Sequence, residues 1–422
     1  MTAPGHEAWR GTWRDGLSYG ALGLPLAFVA LPLYVLLPNH YADVFGIPLA
    51  TLGALLLGAR LLDAVADPFI GRGVDHLLAG PARRLIVAAV AAALLLALGF
   101  RGLFFPAVEG EAALLAWCGA LLAVTYLSYS VLSVLHQAWG ARLGGDEGQR
   151  ARIVSWREGL ALAGVLVASV LPSVTSLSAT TAVFAAALAA GVVLLTGAPA
   201  ARPAPPGAPV SLAMPFATPG FRRLLVVYLV NGVASAVPAT LVLFFIRDRL
   251  QAQPFEPLFL ASYFAAGALS MPLWVKAVTR IGLARAWLAG MGLAVASFVW
   301  AASLGTGDVA AYTAVCIASG MALGADLALP GALLAGVIQR AGHGGRLEGA
   351  YFGWWNFATK LNLALAAGVA LPLLAAFGYA PGGRDAAALQ ALTLAYCVLP
   401  CVLKLGAAGL LWTLWIAKEP AP

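Results

Sequence analysis

Several ionisable side chains stand deep inside the long apolar stretches of this sequence. They are Arg60, Asp63, Asp67, Arg157, Glu158, Asp326, Lys360 and Lys404, with His136 as a neutral candidate. Insertion scales put the cost of a charge at the centre of a membrane-spanning helix at roughly 2.5–3.5 kcal/mol. Side chains retained at that cost face a polar cavity or one another, so these positions are the first candidates for function.

Asp63 and Asp67 are the most informative pair, because residues four apart project from one face of a helix. Two carboxylates on one stripe can offer several oxygen ligands to a hard cation such as Na⁺, or hold a proton. Pro68 is expected to loosen the backbone there and free carbonyl oxygens for coordination. Arg60 is a candidate charge partner, and a purely structural Arg60–Asp63 salt bridge is the alternative interpretation.

Lys360 lies too deep in its apolar stretch, GAYFGWWNFATKLNLALAAG, for its ammonium to reach water. A lysine at that depth needs a carboxylate partner. Asp63 or Asp67 is one candidate, and the pairing would let a bound cation compete with the ammonium. A structural bridge to Asp326 is the alternative.

Arg157 falls about one turn inside the stretch RARIVSWREGLALAG. Adjacent residues point to different faces of a helix, so we do not expect Arg157 to pair simply with Glu158. Arg157 is a candidate donor to substrate hydroxyls, a phosphate or a carboxylate, and a bridge to an acid near the helix end is the alternative. We interpret His136 as a hydrogen-bonded packing residue, with a proton relay as the alternative. Lys404 has no partner that the sequence identifies.

The composition indicates the kind of element that must position these groups. The chain has 422 residues, of which 61% are hydrophobic and 10% charged, whereas a soluble protein carries about 25% charged residues. The basic residues behind the net charge of +7 are dispersed between apolar runs, which argues against nucleic-acid binding. The four cysteines lie in apolar stretches and are expected to be buried structural thiols. No catalytic motif or metal-ligand spacing indicates an enzyme.

The apolar stretches are long enough to cross a bilayer, which takes about 20 residues each. We predict an all-α membrane protein with twelve spans, at 17–40, 46–70, 84–106, 112–139, 153–174, 178–197, 222–246, 257–277, 283–304, 308–338, 349–377 and 386–416. A Pro/Ala-rich linker at 198–219 separates an N-terminal six-helix half, 1–197, from a C-terminal half, 220–422. Two six-helix halves are typical of the major facilitator fold.

The arginines and lysines between the spans fall mostly on one side of the predicted membrane. This positive-inside pattern places the linker and both termini in the cytoplasm. No cleavable signal is expected, since the first apolar run is long and further spans follow it. The predicted location is the bacterial inner membrane.

The loop after the second span reads GRGVD at 71–75 and is followed by Arg83 and Arg84. It looks like a loose version of the loop motif that major facilitators carry at this place. From that likeness we expect a gating role, through charge pairs, for Gly71, Asp75, Arg83 and Arg84.

Blocks across most of the chain resemble the glycoside–pentoside–hexuronide:cation symporters, the family of the bacterial melibiose permease. The blocks are LSYG at 17–20, YADVFG at 41–46, LLDAVADPFIGRGVD, TYLSYSVLSVL, SWREGLALAG and GRLEGAYFGWWNFATKLNLALA. The resemblance implies that Asp63 and Asp67 bind the coupling cation, Na⁺ or H⁺, with Ser130 as a further ligand and Lys360 as charge partner. It also implies a substrate site that includes Tyr129, Arg157, Trp355 and Asn356.

The sequence departs from that family where melibiose permease binds its sugar. The first and fourth helices of that permease each supply a carboxylate, and the corresponding positions here are Ala27 and either Ser133 or Leu135. An amide between the two aspartates is replaced by Ala66, and an acid near the end of the tenth span by Gly336. Sugar hydroxyls need fixed polar partners when they leave water. Cation coupling is therefore predicted more firmly than sugar specificity.

The expected function is cation-coupled symport of a small solute, a sugar or glycoside, by alternating access. The solute would bind between the two halves, and the partners would be the solute, the coupling cation and the lipid bilayer. A lysolipid or another amphipathic solute is the alternative cargo. A non-transporting membrane scaffold is the third class weighed. We expect no cofactor, no nucleic acid and a monomer.

Overall fold

The computed structural model describes residues 9–199, 211–383 and 385–418, and this part of the chain is almost entirely helical. Eleven of its helices are long and apolar enough to cross a membrane. The helix Leu49–Ala79 carries charges in its middle, but it has 31 residues. At about 1.5 Å per residue it is longer than the roughly 30 Å hydrocarbon core of a bilayer. Together these make the twelve predicted spanning helices of an all-α membrane protein.

The spanning helices are numbered in chain order. They are α1 (Gly23–Phe45), α2 (Leu49–Ala79), α3 (Ala82–Phe104), α4 (Glu111–Arg142), α5 (Glu147–Val174), α6 (Leu177–Thr196), α7 (Pro219–Arg249), α8 (Gln253–Ile281), α9 (Leu283–Ala302), α10 (Val309–Arg340), α11 (Glu348–Ala376) and α12 (Ala386–Lys418).

The first predicted span is not one regular helix. A short helix, Trp13–Gly20, precedes α1, and Thr12 and Asp15 form a capping box at its start. Within α1 the residues Pro32–Leu36 form a π-helical turn. The second span is also longer than predicted, because α2 continues past residue 70 to Ala79. Hydropathy marks where a helix leaves an apolar environment, and the helix itself ends later.

The chain packs as two compact units. The first holds the described residues up to Pro215 together with Ile338–Phe357, and the second holds Phe216–Val337 together with the described residues from Ala358 onward. Both α10 and α11 therefore contribute to both units. The predicted halves follow chain order and meet at the linker. The packed units differ from them because Ile338–Phe357, where α10 leads into α11, belongs to the first unit.

The predicted linker lies partly outside the described residues, since 200–210 are not among them. Its described flanks are held by two tryptophans of the first unit. The indole of Trp139 donates to the Pro199 carbonyl oxygen at 2.9 Å, and that of Trp354 donates to Leu212 at 2.9 Å. A short helix, Met214–Ala217, leads from there towards α7.

Helix α4 is central to the first unit, where it packs against both α2 and α3. The start of α1 packs against α5 so closely that the two backbones touch. A Cβ atom on Gly164 would collide with the Leu24 carbonyl oxygen, and one on Gly23 would meet that of Arg157. Small residues allow this close packing in membranes, where van der Waals contact replaces the hydrophobic effect as the force between helices.

In the second unit, α12 packs against α7 and α9. Around the start of α12 lies an aromatic core in which Phe245 stacks on Tyr396, with 4.2 Å between ring centroids. The hydroxyls of Tyr312 and Tyr396 are hydrogen-bonded at 2.6 Å. All four cysteines of the chain are buried free thiols, as predicted.

Candidate functional site

The two faces of α2 have opposite chemistry. Leu61, Leu62 and Val65 are 57%, 51% and 58% exposed, whereas Asp63 and Asp67 are 5% and 0% exposed. A soluble helix buries its apolar side, so this inversion is what a lipid-facing helix with an inward polar stripe requires. The predicted common face of the two aspartates is therefore present, and it does not face lipid.

Helix α4 places a hydroxyl on this stripe. The Ser130 hydroxyl donates to Oδ1 of Asp63 at 2.7 Å, and Ser130 is itself 1% exposed. The structure thus brings together the three residues predicted to hold a cation. Pro68, in contrast, does not interrupt α2, which stays helical from Leu49 to Ala79.

Arg60 does not pair with Asp63. Its guanidinium carbon lies 3.4 Å from the centroid of the Tyr34 ring. Asp63 has a short side chain that is hydrogen-bonded towards α4, while the long arginine side chain reaches an aromatic face on α1, where cation–π attraction holds it. The prediction of Arg60 as a charge partner in this stripe is wrong, and so is the structural Arg60–Asp63 bridge.

Tyr129 is half-buried on α4 and precedes Ser130. It lies close enough to Asp63, Asp67 and Glu158 for their charges to act on its hydroxyl. Tyr129 therefore lies near the two aspartates, and its role in substrate binding stays a prediction. Glu158, which the sequence offered only as a charge at membrane depth, joins the same region.

Arg157 pairs with its neighbour Glu158, contrary to the prediction. Its Nε and Nη2 donate to Oε1 of Glu158 at 2.9 Å and 2.6 Å. The two Cα–Cβ bonds do point to different sides of α5, but both side chains are long enough to curl back and meet. The guanidinium also lies beside the hydroxyl of Tyr19. Arg157 is thus a buried, partly satisfied donor in the first unit.

His136 bonds to the backbone of the short first helix. Its Nε2 lies 2.7 Å from the Tyr19 carbonyl oxygen, and the Tyr19 hydroxyl donates to the His136 carbonyl at 3.0 Å. The two rings are 4.6 Å apart. This reciprocal arrangement is that of the packing histidine that we predicted.

Helices α2 and α11 touch through glycines within the first unit. A Cβ on Gly71 would collide with the Gly349 carbonyl oxygen, and one on Gly353 with the Asp67 carbonyl oxygen. The predicted substrate residues Trp355 and Asn356 follow on the same part of α11 and are 6% and 8% exposed. The start of α11 is therefore held against the aspartate-bearing helix.

Lys360 belongs to the second unit and the two aspartates to the first. The pairing of Lys360 with Asp63 or Asp67 stays a prediction.

Asp75 binds the N-terminus of α11. Its two carboxylate oxygens accept the backbone N–H groups of Gly349 and Ala350 at 2.7 Å and 2.8 Å. Arg142, which is 2% exposed, lies 3.6 Å from Asp75 and donates to Glu348 at 3.0 Å. A carboxylate at a helix N-terminus is favoured by the helix dipole.

The partners of this cluster differ from those predicted. Arg83 and Arg84 are exposed and form no ion pair with the described residues, because the helix α3 that they begin points their side chains to solvent. Sequence reasoning missed Arg142 and Glu348 as members. Both stand at the ends of apolar runs, where a charged residue looks like an ordinary boundary.

A second polar cluster lies inside the second unit. The ammonium of Lys404 on α12 bonds to Asp326 on α10, to Asn231 at 2.9 Å and to Ser235 at 3.0 Å. Asp326 also accepts the indole N–H of Trp287 at 2.9 Å. The structure thus supplies the partner of Lys404, and the alternative bridge from Lys360 to Asp326 is wrong.

Within the described residues no group of three or more His, Cys, Asp and Glu side chains is arranged to hold a metal ion. The carboxylates of the α2 stripe are those of Asp63 and Asp67, and the Ser130 hydroxyl lies beside them. A site of this composition can bind either Na⁺ or H⁺.

Comparison with known proteins identifies the family. The profile of the family described as MFS/sugar transport protein matches residues 16–418, which is nearly the whole chain. The chain belongs to this family. This assignment agrees with the major facilitator fold and with the family resemblance that the sequence motifs carry.

Two curated relatives of this family member come from Escherichia coli K12. The putative glycoside/cation symporter YagG is 30% identical over 161 residues, which cover 37% of this chain and 34% of YagG. The inner membrane symporter YicJ is 29% identical over 171 residues, covering 37% of this chain and 33% of YicJ. The chain thus matches about a third of the length of each relative.

Solved structures show the same fold over almost the whole family member. A bacterial homologue of the iron transporter ferroportin, in an outward-facing state, has a TM-score of 0.70 at 17% identity and covers 94% of this chain and 100% of its own. The E. coli fucose:proton symporter FucP has a TM-score of 0.66 at 13% identity and covers 93% of this chain and 98% of its own. At these identities the likeness shows the fold alone.

Proposed function

We propose that this protein is a secondary active transporter that couples the symport of a glycoside-type solute to Na⁺ or H⁺ by alternating access. The names of the relatives YagG, a putative glycoside/cation symporter, and YicJ, an inner membrane symporter, support this assignment. We further propose that it lies in the bacterial inner membrane with both termini in the cytoplasm, as the distribution of basic residues favours.

The observation that carries the proposal is the buried aspartate stripe of α2. Asp63 and Asp67 are 5% and 0% exposed, one turn apart, and Ser130 donates to Asp63 at 2.7 Å. Two buried carboxylates one helical turn apart are stabilised by a positive ion or a proton beside them. A stripe of this chemistry can take up Na⁺ or H⁺.

Coupling follows if the cation and the solute stabilise the same conformation. Tyr129 adjoins the aspartates, and the Arg157–Glu158 pair offers hydrogen-bond donors and acceptors in the same unit. In the proposed cycle, these residues and the nearby Trp355 and Asn356 bind the solute. The Asp75 contact with the start of α11 serves as a gate that each change of state has to break.

The test is solute uptake into proteoliposomes with and without an imposed Na⁺ or pH gradient. Asp67→Asn is expected to abolish the gradient dependence because it removes one of the two cation-binding carboxylates. Asp43→Asn makes the same chemical change at an exposed position of α1 and is expected to transport normally. If Asp67→Asn keeps the ion dependence of the unmodified protein, the assigned cation site is wrong.

An amphipathic cargo such as a lysolipid is the second candidate. The observation that favours it is the missing sugar carboxylate, since the first-helix position is Ala27. The same proteoliposomes distinguish the two cargoes when methyl glycosides, aryl glycosides and lysophosphatidylcholine are offered side by side.

A further inference from the structure

The second unit contains a cavity that the cation site does not explain. Its volume is about 400 Å³, and its walls come from α7 to α12. Aromatic rings form much of the wall, namely those of Phe259, Tyr263, Phe298, Tyr312 and Tyr396. Ring faces of this kind favour another ring or an apolar group as the occupant.

The charged groups in the cavity wall are already neutralised. Lys404 and Asp326 both line the cavity. The three N–H bonds of Lys404 are used by Asp326, Asn231 and Ser235. Asp326 accepts in turn from Lys404, Asn231, Ser235 and Trp287. An ionic ligand would have to break this closed network, and separating a buried ion pair is strongly unfavourable.

Two polar side chains in the cavity wall are available to hydrogen-bond a ligand. Among the described residues, the oxygen of the Asn362 side-chain amide is buried and accepts no hydrogen bond, and Asn362 is 4% exposed; the Tyr263 side chain lines the same cavity. Gly232 faces this amide, and a Cβ there would collide with it, so the glycine leaves room for the side chain. A buried polar group without a partner costs free energy that a ligand can recover.

We propose that this cavity binds a neutral, ring-bearing apolar group of the transported solute, with hydrogen bonds to Asn362 and Tyr263. An engineered apolar cavity of about 150 Å³ holds one benzene molecule, so this larger cavity has room for two joined rings. The inference rests on the proposed function, since it identifies the group as part of the cargo. It names the cargo as a glycoside with an uncharged aromatic aglycone.

The first test measures binding without transport. The full-length protein, purified in detergent, is titrated with 2-naphthalenemethanol and with 2-naphthoate, and binding is followed by calorimetry. We expect saturable binding of the alcohol and at least tenfold weaker binding of the anion. Equal affinity for both compounds, or no saturable binding of the alcohol, would overturn the inference.

Two neighbouring residues on α10 give a matched pair of variants. Cys316 lines the cavity, whereas Ile317 is 45% exposed on the outside of the helix. Cys316→Phe fills the cavity and is expected to weaken alcohol binding at least tenfold, while Ile317→Phe leaves it unchanged. If the two variants bind alike, the cavity is not the site.

If Cys316→Phe does not fold, a smaller substitution still tests ligand binding in the cavity. Asn362→Leu keeps the side-chain size but removes the open amide. It is expected to weaken 2-naphthalenemethanol several-fold and to leave naphthalene, which has no hydroxyl, unchanged. Equal losses for both probes, or none for either, contradict the proposed hydrogen bond.

Uptake then separates this inference from the proposed function. Aryl glycoside uptake is expected to fall in Cys316→Phe while methyl glycoside uptake persists, and a loss of both to the same extent contradicts the aglycone assignment. If neither glycoside is taken up by the unmodified protein, the proposed function fails, and with it the naming of the cargo. The calorimetric result still reports whether the cavity binds a neutral ring.

Discussion

Removing the Lys404 charge is the sharpest test of the packing in the second unit. In Lys404→Met the Asp326 carboxylate stays buried and keeps only neutral donors, from Asn231, Ser235 and Trp287. Removing one partner of a buried ion pair costs about 3–5 kcal/mol, because the other charge is left uncompensated. The free energy of unfolding should fall by that amount.

The double variant Lys404→Met/Asp326→Leu separates the charge from the shape of the site. It removes both charges and leaves only neutral polar groups unpaired, at about 1–3 kcal/mol. The double variant should therefore be more stable than Lys404→Met alone. If Asp326→Leu alone is destabilising, that sign cannot arise from two residues that act independently, so the second single variant completes the cycle.

The assay is unfolding of the purified protein in detergent, followed by circular dichroism. Lys276→Met makes the same substitution at an exposed residue of α8 and should change stability by about 0.5 kcal/mol or less. If Lys404→Met is as stable as the unmodified protein, or the double variant is the least stable of the set, the ion pair does not contribute as argued.

Three further predictions concern single residues. Ser130→Ala should weaken cation binding about tenfold, because hydrogen bonds to charged groups are worth about 1.5–3 kcal/mol. The ion dependence of uptake measures this affinity, and an unchanged affinity contradicts the prediction. Asp75→Asn should speed hydrogen exchange at the first backbone N–H groups of α11, because a neutral side-chain amide accepts hydrogen bonds less strongly than a carboxylate. Exchange as slow as in the unmodified protein would show that the charge is not needed. Gly71→Ala should lower the thermal stability because its Cβ collides with α11, whereas Gly73→Ala, with nothing within 4 Å of the new Cβ, should be neutral or stabilising.

The twelve helices were predictable because apolar length is a one-dimensional signal that the bilayer imposes on each span separately. The common face of Asp63 and Asp67 followed from helical periodicity alone. Ser130 was found only through the family resemblance, because a serine in an apolar helix carries no signal of its own. Its hydrogen bond to Asp63 depends on how α4 packs against α2.

The errors concern long side chains. Arg60 reached an aromatic ring and Arg157 curled back to Glu158, since flexible side chains can choose among several partners at similar distance. The Lys404–Asp326 pair joins α12 to α10, and no spacing within the sequence encodes that contact. Such pairings depend on tertiary packing, which local rules do not describe.

The π-helical turns have a consequence for how the two halves of the chain can be compared. One lies in α1 at Pro32–Leu36 and another ends α7 at Phe245–Arg249. Each inserts one residue and so rotates everything beyond it by about 100° around the helix axis. In α7 this rotation accompanies the burial of Asp248, which accepts the Gly382 N–H at 3.0 Å.

Deleting Ile246 would restore an α-helical turn and rotate that carboxylate away from its partner. For the same reason, a residue-by-residue superposition of the halves has to skip one position in each of these helices. Because one π-turn lies in the middle of α1 and the other at the end of α7, an ungapped comparison of the halves loses register at different points of the two helices.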